Sequence, residues 1–359
     1  MSPDGTMTAM VLDRFGGSFR AEDRPVPRPG HGEVLVDVVS CGVGLTLEHG
    51  RLGLLGGSTP RVLGHELAGE IAVVGPGVTL WAPGDRVTAS FYLLCGSCDM
   101  CASGRESLCR NNGGFYGLAV DGAFAEQAIV PAHSLVRVPE DAPLREAGVV
   151  ADAVATPYHV ASQRIGIRPG QQVAVIGAGG GVGVHMLQVA RAFGARVIGV
   201  ERDAAKLAEL EKRELADVLI DSGAPDWSEQ VARAAGRRLS ACVDMVSSQE
   251  TLDGGIAALD AGGTFVVVGH RTGTQVSVAS TRLLLSEIVV TGNRYATRAE
   301  IAASLELVRV GRVEPVIGLV VPLAELDVAF AAIRGNEVSG RVLVDCASPA
   351  GAPTFSRRG

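Results

Sequence analysis

The chain has 359 residues and a mass of 37.0 kDa, enough for two domains of ordinary size. Apolar residues make up 47% of it and aromatics only 4%, so its core must be Ala, Val, Leu and Ile packed around 47 glycines, the texture of an α/β protein with many tight turns. The 32 basic and 39 acidic residues leave a formal charge of −7 with no long run of either sign, which argues against nucleic acid or an anionic membrane as the main partner.

From Thr8 to about Val138 short apolar stretches are broken by Pro and Gly. Val34–Val39, Leu67–Val74 and Asp85–Ala89 read as strands, joined by turns such as Gly75-Pro-Gly77 and Pro83-Gly-Asp85. Within this region lies Cys95-x2-Cys98-x2-Cys101-x7-Cys109, with four of the seven cysteines in fifteen positions. An odd count crowded in this way is a poor disulfide framework. Four thiolates match the tetrahedral preference of zinc and leave no position open to water or substrate, so the spacing predicts a closed structural site that folds its own loop.

After about Pro143 strand and helix alternate. Strands are expected at Gln172–Ile176, Ala195–Val200, Ala241–Met245 and Thr264–Val268, and helices at Gly183–Phe193, Asp203–Leu215 and Glu250–Leu259. Such βα units predict a doubly wound parallel sheet. A helix at Glu300–Val310 and strand-like pieces ending in Arg341–Asp345 follow, and Ser348–Gly359 reads as a loose tail. No apolar run approaches the ~18 residues of a membrane span, and no basic segment followed by an apolar stretch opens the chain, so a cytoplasmic protein is expected.

Between the strand ending at Ile176 and the next helix stands Gly177-Ala178-Gly-Gly180-Gly181-Val182-Gly183. Glycines there let the backbone turn sharply and approach a pyrophosphate, which the helix N-terminus holds through its free N–H groups. Glu201 ends the next strand about 20 residues on, where an acid accepts from both ribose hydroxyls. It would repel a 2′-phosphate and so favours NAD(H) over NADP(H). Arg202 beside it is read equally as a phosphate contact and as a solvated charge.

Together with the cysteine lobe and the glycine loop, Gly64-His-Glu66-x-x-Gly69 and Pro83-Gly-Asp-Arg-Val87 resemble the zinc-containing medium-chain dehydrogenase/reductases, the alcohol dehydrogenase superfamily, over nearly the whole chain. The resemblance implies a GroES-like catalytic domain from residues 1–158 and 298–359, a Rossmann domain over residues 159–297, and active-site residues in the cleft between them. It implies catalytic roles for Thr46, His49, His65, Glu66 and Asp152. Thr46 and His49 match the proton relay, while His65 and Asp152 match two ligands of the catalytic zinc. The usual ligand cysteine is replaced by Gly44, and Cys41 upstream reads as a small buried residue rather than a substitute. Two readings stay open: a weakened zinc site acting as a Lewis acid, or a lost metal with His65 and Asp152 left to orient substrate or pass protons. Asp152 has a third reading as a helix N-cap.

The resemblance further places Thr156 and the backbone of Val268, Gly269 and His270 at the nicotinamide, and Arg341 at the pyrophosphate. Leu45, Leu47, Leu52, Phe91 and Tyr116 are expected to line an apolar pocket, and His31, His133, His159 and His185 to be structural or superficial. Relatives with the lobe imply a homodimer or homotetramer acting on a small molecule. The expected activity is NAD(P)(H)-dependent interconversion of an alcohol and a carbonyl. The alternatives are metal-free reduction of an activated C=C or C=N bond, and nucleotide binding without catalysis.

Overall fold

The structure is a computed structural model that describes residues 5–347. The tail expected at 348–359 lies outside them. The chain divides into two units. One comprises the residues up to Asp152 together with Thr297–Arg309 and the chain from Ile317 on, and the other comprises Ala153–Ala296 with Val310–Val316. The first boundary falls six residues before the expected one, and the short return of Val310–Val316 was not foreseen.

In the first unit the organising strand is Glu33–Val43, eleven residues dominated by Val that are buried or half-buried throughout. It pairs antiparallel with Glu66–Val74, Gln127–Pro131 and Arg341–Asp345 within a seven-stranded sheet. The register sets Gly42 opposite both Glu66 and Leu343, and Val43 opposite Val342. Continued by one residue, that register brings the start of the last strand, Arg341, level with Gly44. A separate three-stranded sheet holds Phe19–Pro25, Thr6–Leu12 and Arg61–Val62.

The second unit contains six parallel strands in the order Val218–Asp221, Arg196–Glu201, Gln172–Ile176, Leu239–Asp244, Thr264–Val267 and Val289–Gly292. Buried on both faces, its central strands read as near-continuous aliphatic runs. Ile176, Ile198, Val200, Leu252 and Phe265 form the core with Trp227. Strand order reverses beside Gln172–Ile176, the place where an open α/β sheet takes ligands at its carboxyl edge. The expected helices and strands of this unit are present to within a few residues at each end. Val218–Asp221 and Val289–Gly292 were not anticipated, because four-residue strands carry little periodicity, and the amphipathic helix Trp227–Ala234 was missed as well. Among the described residues no helix is long and apolar enough to cross a membrane.

Candidate active site and cofactor loop

Gly177 leaves its strand with φ of +75°, a conformation that costs glycine nothing, and its N–H donates to the Val200 carbonyl at 2.9 Å. A side chain at Gly183 would collide with the Gly177 carbonyl, so the helix Gly183–Ala192 can begin only because both positions are glycine. Gly177, Ala178, Gly180, Gly181, Val182 and Gly183 thus form one tight turn that exposes N–H groups at the helix start, a cradle suited to a dinucleotide pyrophosphate. Glu201, nearly buried, accepts at Oε2 from Gly179 N–H (2.9 Å) and at Oε1 from the N–H groups of Arg202 (2.8 Å) and Asp203 (3.2 Å). A cavity of about 490 Å³ opens beside it, lined among others by Gly177, Arg202, Ser248, Thr251 and Arg271.

Two buried side chains pack around this turn: Lys206, which sequence reasoning missed, and His185, expected to be structural or superficial. Lys206 is buried beside Gly179; burial lowers its pKa, against the pull of Glu201 and Asp203. It is one of only two lysines in the chain, and no local motif singles it out. His185, fully buried, donates from Nδ1 to the Gly181 carbonyl (2.8 Å) and accepts at Nε2 from Val316 N–H (2.9 Å). Those partners fix its tautomer and tie the glycine turn to the returning segment. The N–H groups of Val268 and Gly269 both donate to the Asp244 carbonyl at 3.0 Å, while His270 is exposed and Thr156 buried in the helix Ala155–His159.

In the first unit the four cysteines converge around the short helix Asp99–Ala102. Sulfur separations are 3.6 Å for Cys98–Cys101, 3.9 Å for Cys98–Cys109 and 3.5 Å for Cys95–Cys109. Four sulfurs at the Zn–S bond length would stand roughly 3.8 Å apart in a tetrahedron, so the donor set fits a zinc ion. Glu106 of the same lobe takes the guanidinium of Arg298 at 2.9 Å, which fastens it to the helix Arg298–Arg309.

The helix Leu45–Arg51 begins at Gly44 and carries Thr46 and His49, both half-buried and three residues apart on one face. Of the expected pocket residues Leu47, Phe91 and Tyr116 are buried, whereas Leu45 and Leu52 are exposed, so those two do not line an enclosed pocket within this unit. Phe91 packs on His65 with ring centroids 4.5 Å apart, and Tyr116 donates to the Ile129 carbonyl at 2.9 Å.

His65, Glu66 and Asp152 meet as the resemblance implied. His65 Nε2 lies 3.9 Å from Glu66 Oε1 and 4.0 Å from Asp152 Oδ2. Neither ring nitrogen of His65 has a hydrogen-bond partner among the described residues, and burial lowers its pKa to about 4, so the ring is neutral. Asp152 sits inside a π-helical turn, Val150–Val154, and is not an N-cap. Cys41 is buried and its thiol is pushed well above the usual range by desolvation, which leaves it a packing residue.

Arg341 departs from expectation. Its guanidinium does not face outward for a phosphate: it is 5% exposed and bound to two carboxylates. Nε donates to Glu66 Oε2 at 3.0 Å, and Nη2 donates to Glu66 Oε1 and to Asp152 Oδ2, the latter at 2.9 Å. A Cβ at Gly44 would lie 2.6 Å from Cζ and 2.7 Å from Nη1 of this group. The arginine therefore fills the room that a side chain at 44 would need. Burial opposes its charge, but Glu66 and Asp152 hold its pKa above the ordinary arginine value. Two carboxylates against one cation leave an excess negative charge, and burial pushes Glu66 up to about 8 despite the arginine beside it.

A parallel sheet of the dinucleotide-binding type, together with an antiparallel unit bearing a thiolate lobe and a histidine–carboxylate cluster, is the architecture of an oxidoreductase. Comparison with known proteins agrees. Residues 30–140 match the alcohol dehydrogenase GroES-like domain family, and residues 181–309 match the zinc-binding dehydrogenase family. The chain is 34% identical to acryloyl-coenzyme A reductase of Metallosphaera sedula, covering 94% of this chain and 99% of that one. It is 31% identical to an alcohol dehydrogenase of Geobacillus stearothermophilus, over 94% and 99%. The crystal structure of AibC superimposes with a TM-score of 0.89 at 36% identity, over 95% and 96% of the two chains. The chain belongs to the zinc-type medium-chain dehydrogenase/reductase superfamily and is an oxidoreductase of that class.

Proposed function

We propose that this chain reduces an activated C=C bond conjugated to a thioester carbonyl, with hydride from a nicotinamide cofactor and without a catalytic metal. The carrying observation is Arg341, whose guanidinium bridges Glu66 and Asp152 over Gly44. The donor set there does not fit a catalytic zinc. Position 44 supplies no thiolate, Glu66 and Asp152 are both already bound to the Arg341 guanidinium, and a second cation beside a buried guanidinium would meet direct repulsion. A ketone or aldehyde needs strong polarisation before it accepts hydride, whereas a conjugated C=C bond is already electrophilic at its β-carbon. The likeness to acryloyl-coenzyme A reductase supports the same substrate class.

In this reading the turn Gly177–Gly183 holds the pyrophosphate, Glu201 and Lys206 take the ribose hydroxyls with a preference for NAD(H), and Thr156 with Val268–His270 borders the nicotinamide. The bound cofactor supplies the hydride. Thr46 gives the proton and His49 restores it from water. The cysteine lobe carries one structural zinc, and the protein works in the cytoplasm as a homodimer or homotetramer. Retention of Thr46 and His49 on one helix face also favours the alcohol–carbonyl reading, since the same relay serves an alcohol.

The test is oxidation of NADH and NADPH by the purified protein with enoyl thioesters, ketones and aldehydes, alongside metal analysis. Turnover of enoyl thioesters with one zinc per chain is expected. Turnover confined to ketones or alcohols, or two zincs per chain, would overturn the proposal.

A further inference from the structure

We infer that Arg341 is itself the electrophile of this reaction: its Nη1 edge donates to the carbonyl oxygen of the enoyl thioester and holds the negative charge that gathers there. The inference rests on the reductase reading above. Of the five guanidinium N–H groups, the one on Nε and the two on Nη2 are taken by Glu66 and Asp152. Nη1 keeps two, and no described residue accepts from them. The side chain retains 6% of its surface, so the group is not sealed. A Cβ at 44 would press on the guanidinium from Nη2 across Cζ to Nη1, so glycine is what lets the group lie where it does. The two carboxylates also set the plane of the guanidinium before any substrate arrives, which is the condition under which a donor stabilises developing charge most effectively.

The step balances as follows. The β-carbon accepts hydride with its electron pair from the bound dihydronicotinamide, forming a C–H bond. The C=C π pair moves to the Cα–carbonyl bond and the carbonyl π pair moves onto oxygen, giving a thioester enolate against Nη1. The carbonyl then re-forms as the α-carbon takes a proton from the Thr46 hydroxyl, which His49 replaces from water. Nicotinamide is oxidised and the alkene reduced by two electrons.

The experiment compares an enoyl thioester with a nitroalkene of similar length, in wild type, Arg341→Gln and Gly44→Ala. A nitro group carries the negative charge on its own oxygens and needs little help from the protein. Arg341→Gln should lose about 10²-fold in kcat on the thioester, the usual effect of deleting one such donor, and under about tenfold on the nitroalkene. Gly44→Ala keeps every charge but displaces the guanidinium, pressing on Nη2 as well as on Cζ and Nη1, so it should show the same selective loss even if Arg341→Gln fails to fold. Equal losses on both acceptors, or undiminished kcat on the thioester, would overturn the role of Arg341 while leaving the reductase reading in place. Wild-type protein that leaves the thioester unreduced sinks that reading and this inference together.

Discussion

Arg51 grips Glu48 through nitrogen–oxygen contacts of 2.7 and 2.8 Å, with both side chains buried, in the same helix that carries Thr46 and His49. Arg51 also donates to the Gly17 carbonyl at 2.8 Å, so the pair fastens the helix to the chain entering the strand Phe19–Pro25. Removing one partner strands the other charge in a buried place. Glu48→Gln should cost about 3–5 kcal/mol, whereas Glu48→Met combined with Arg51→Leu should recover most of that loss. Thermal unfolding of the single and double variants reads the difference. A single variant as stable as wild type would show that the pair does not hold the helix.

The cluster around Glu66 makes stability depend on pH in two directions. Burial raises Glu66 from 4.5 to about 8, so the folded chain binds a proton there that the unfolded chain has released. That contribution is complete below 4.5 and is lost as pH rises through about 8. His65 works oppositely: burial lowers it from 6.5 to about 4, so its contribution is present above 6.5 and is lost as pH falls through about 4. Glu66→Gln keeps a neutral group at every pH. Its melting temperature relative to wild type should therefore climb between pH 5 and about 8, by at most about 1.4 kcal/mol of stability per pH unit, and level off above that. A constant gap over that range would show that Glu66 is ionised throughout.

The motifs legible in the sequence were those whose chemistry lies in neighbouring residues. The turn Gly177–Gly183 and the spacing of Cys95, Cys98, Cys101 and Cys109 state their geometry locally, because the steric demand of a turn and the span of a tetrahedral ion both act over a few residues. The resemblance placed His65 and Asp152 together. What stayed hidden is the partner of Gly44. Arg341 lies almost three hundred positions away and arrives only through the antiparallel register of Arg341–Asp345 on Glu33–Val43. Read alone, Gly44 looks like a deletion; paired with Arg341 it is the position whose missing side chain makes room for a guanidinium. Glu48 and Arg51 stand at the spacing of a helical ion pair, but nothing local announces that both are buried. Asp152 looked like a cap because a π-helical turn has no periodic signature.

Restoring the thiolate should not by itself restore a second metal. A Cys at 44 would bring its Cβ within 2.7 Å of Nη1 and 2.6 Å of Cζ of Arg341, whose cation stays tied to Glu66 and Asp152. Gly44→Cys is therefore expected to carry the same zinc content as wild type, about one ion per chain, because the four sulfurs of the lobe fit an ion unaided. Elemental analysis after dialysis checks the stoichiometry. Two ions per chain in the single variant would show that Arg341 yields the place readily.

The proposed preference for NAD(H) rests on Glu201. Its Oε2 holds the Gly179 N–H and its Oε1 the N–H groups of Arg202 and Asp203, so the carboxylate shapes the turn and stays fixed at the edge of the cavity. Losing a charged acceptor of this kind costs about 1.5–3 kcal/mol, which corresponds to roughly 10- to 100-fold in affinity. Glu201→Ala should therefore raise the Kd for NADH by that factor. NADPH should suffer less, since removing the acid also removes its repulsion of a 2′-phosphate beside Arg202 and Arg271. Titration of nicotinamide fluorescence with both cofactors, in wild type and variant, gives the ratio directly. A parallel loss for the two cofactors would mean that Glu201 serves the turn alone and does not select between them.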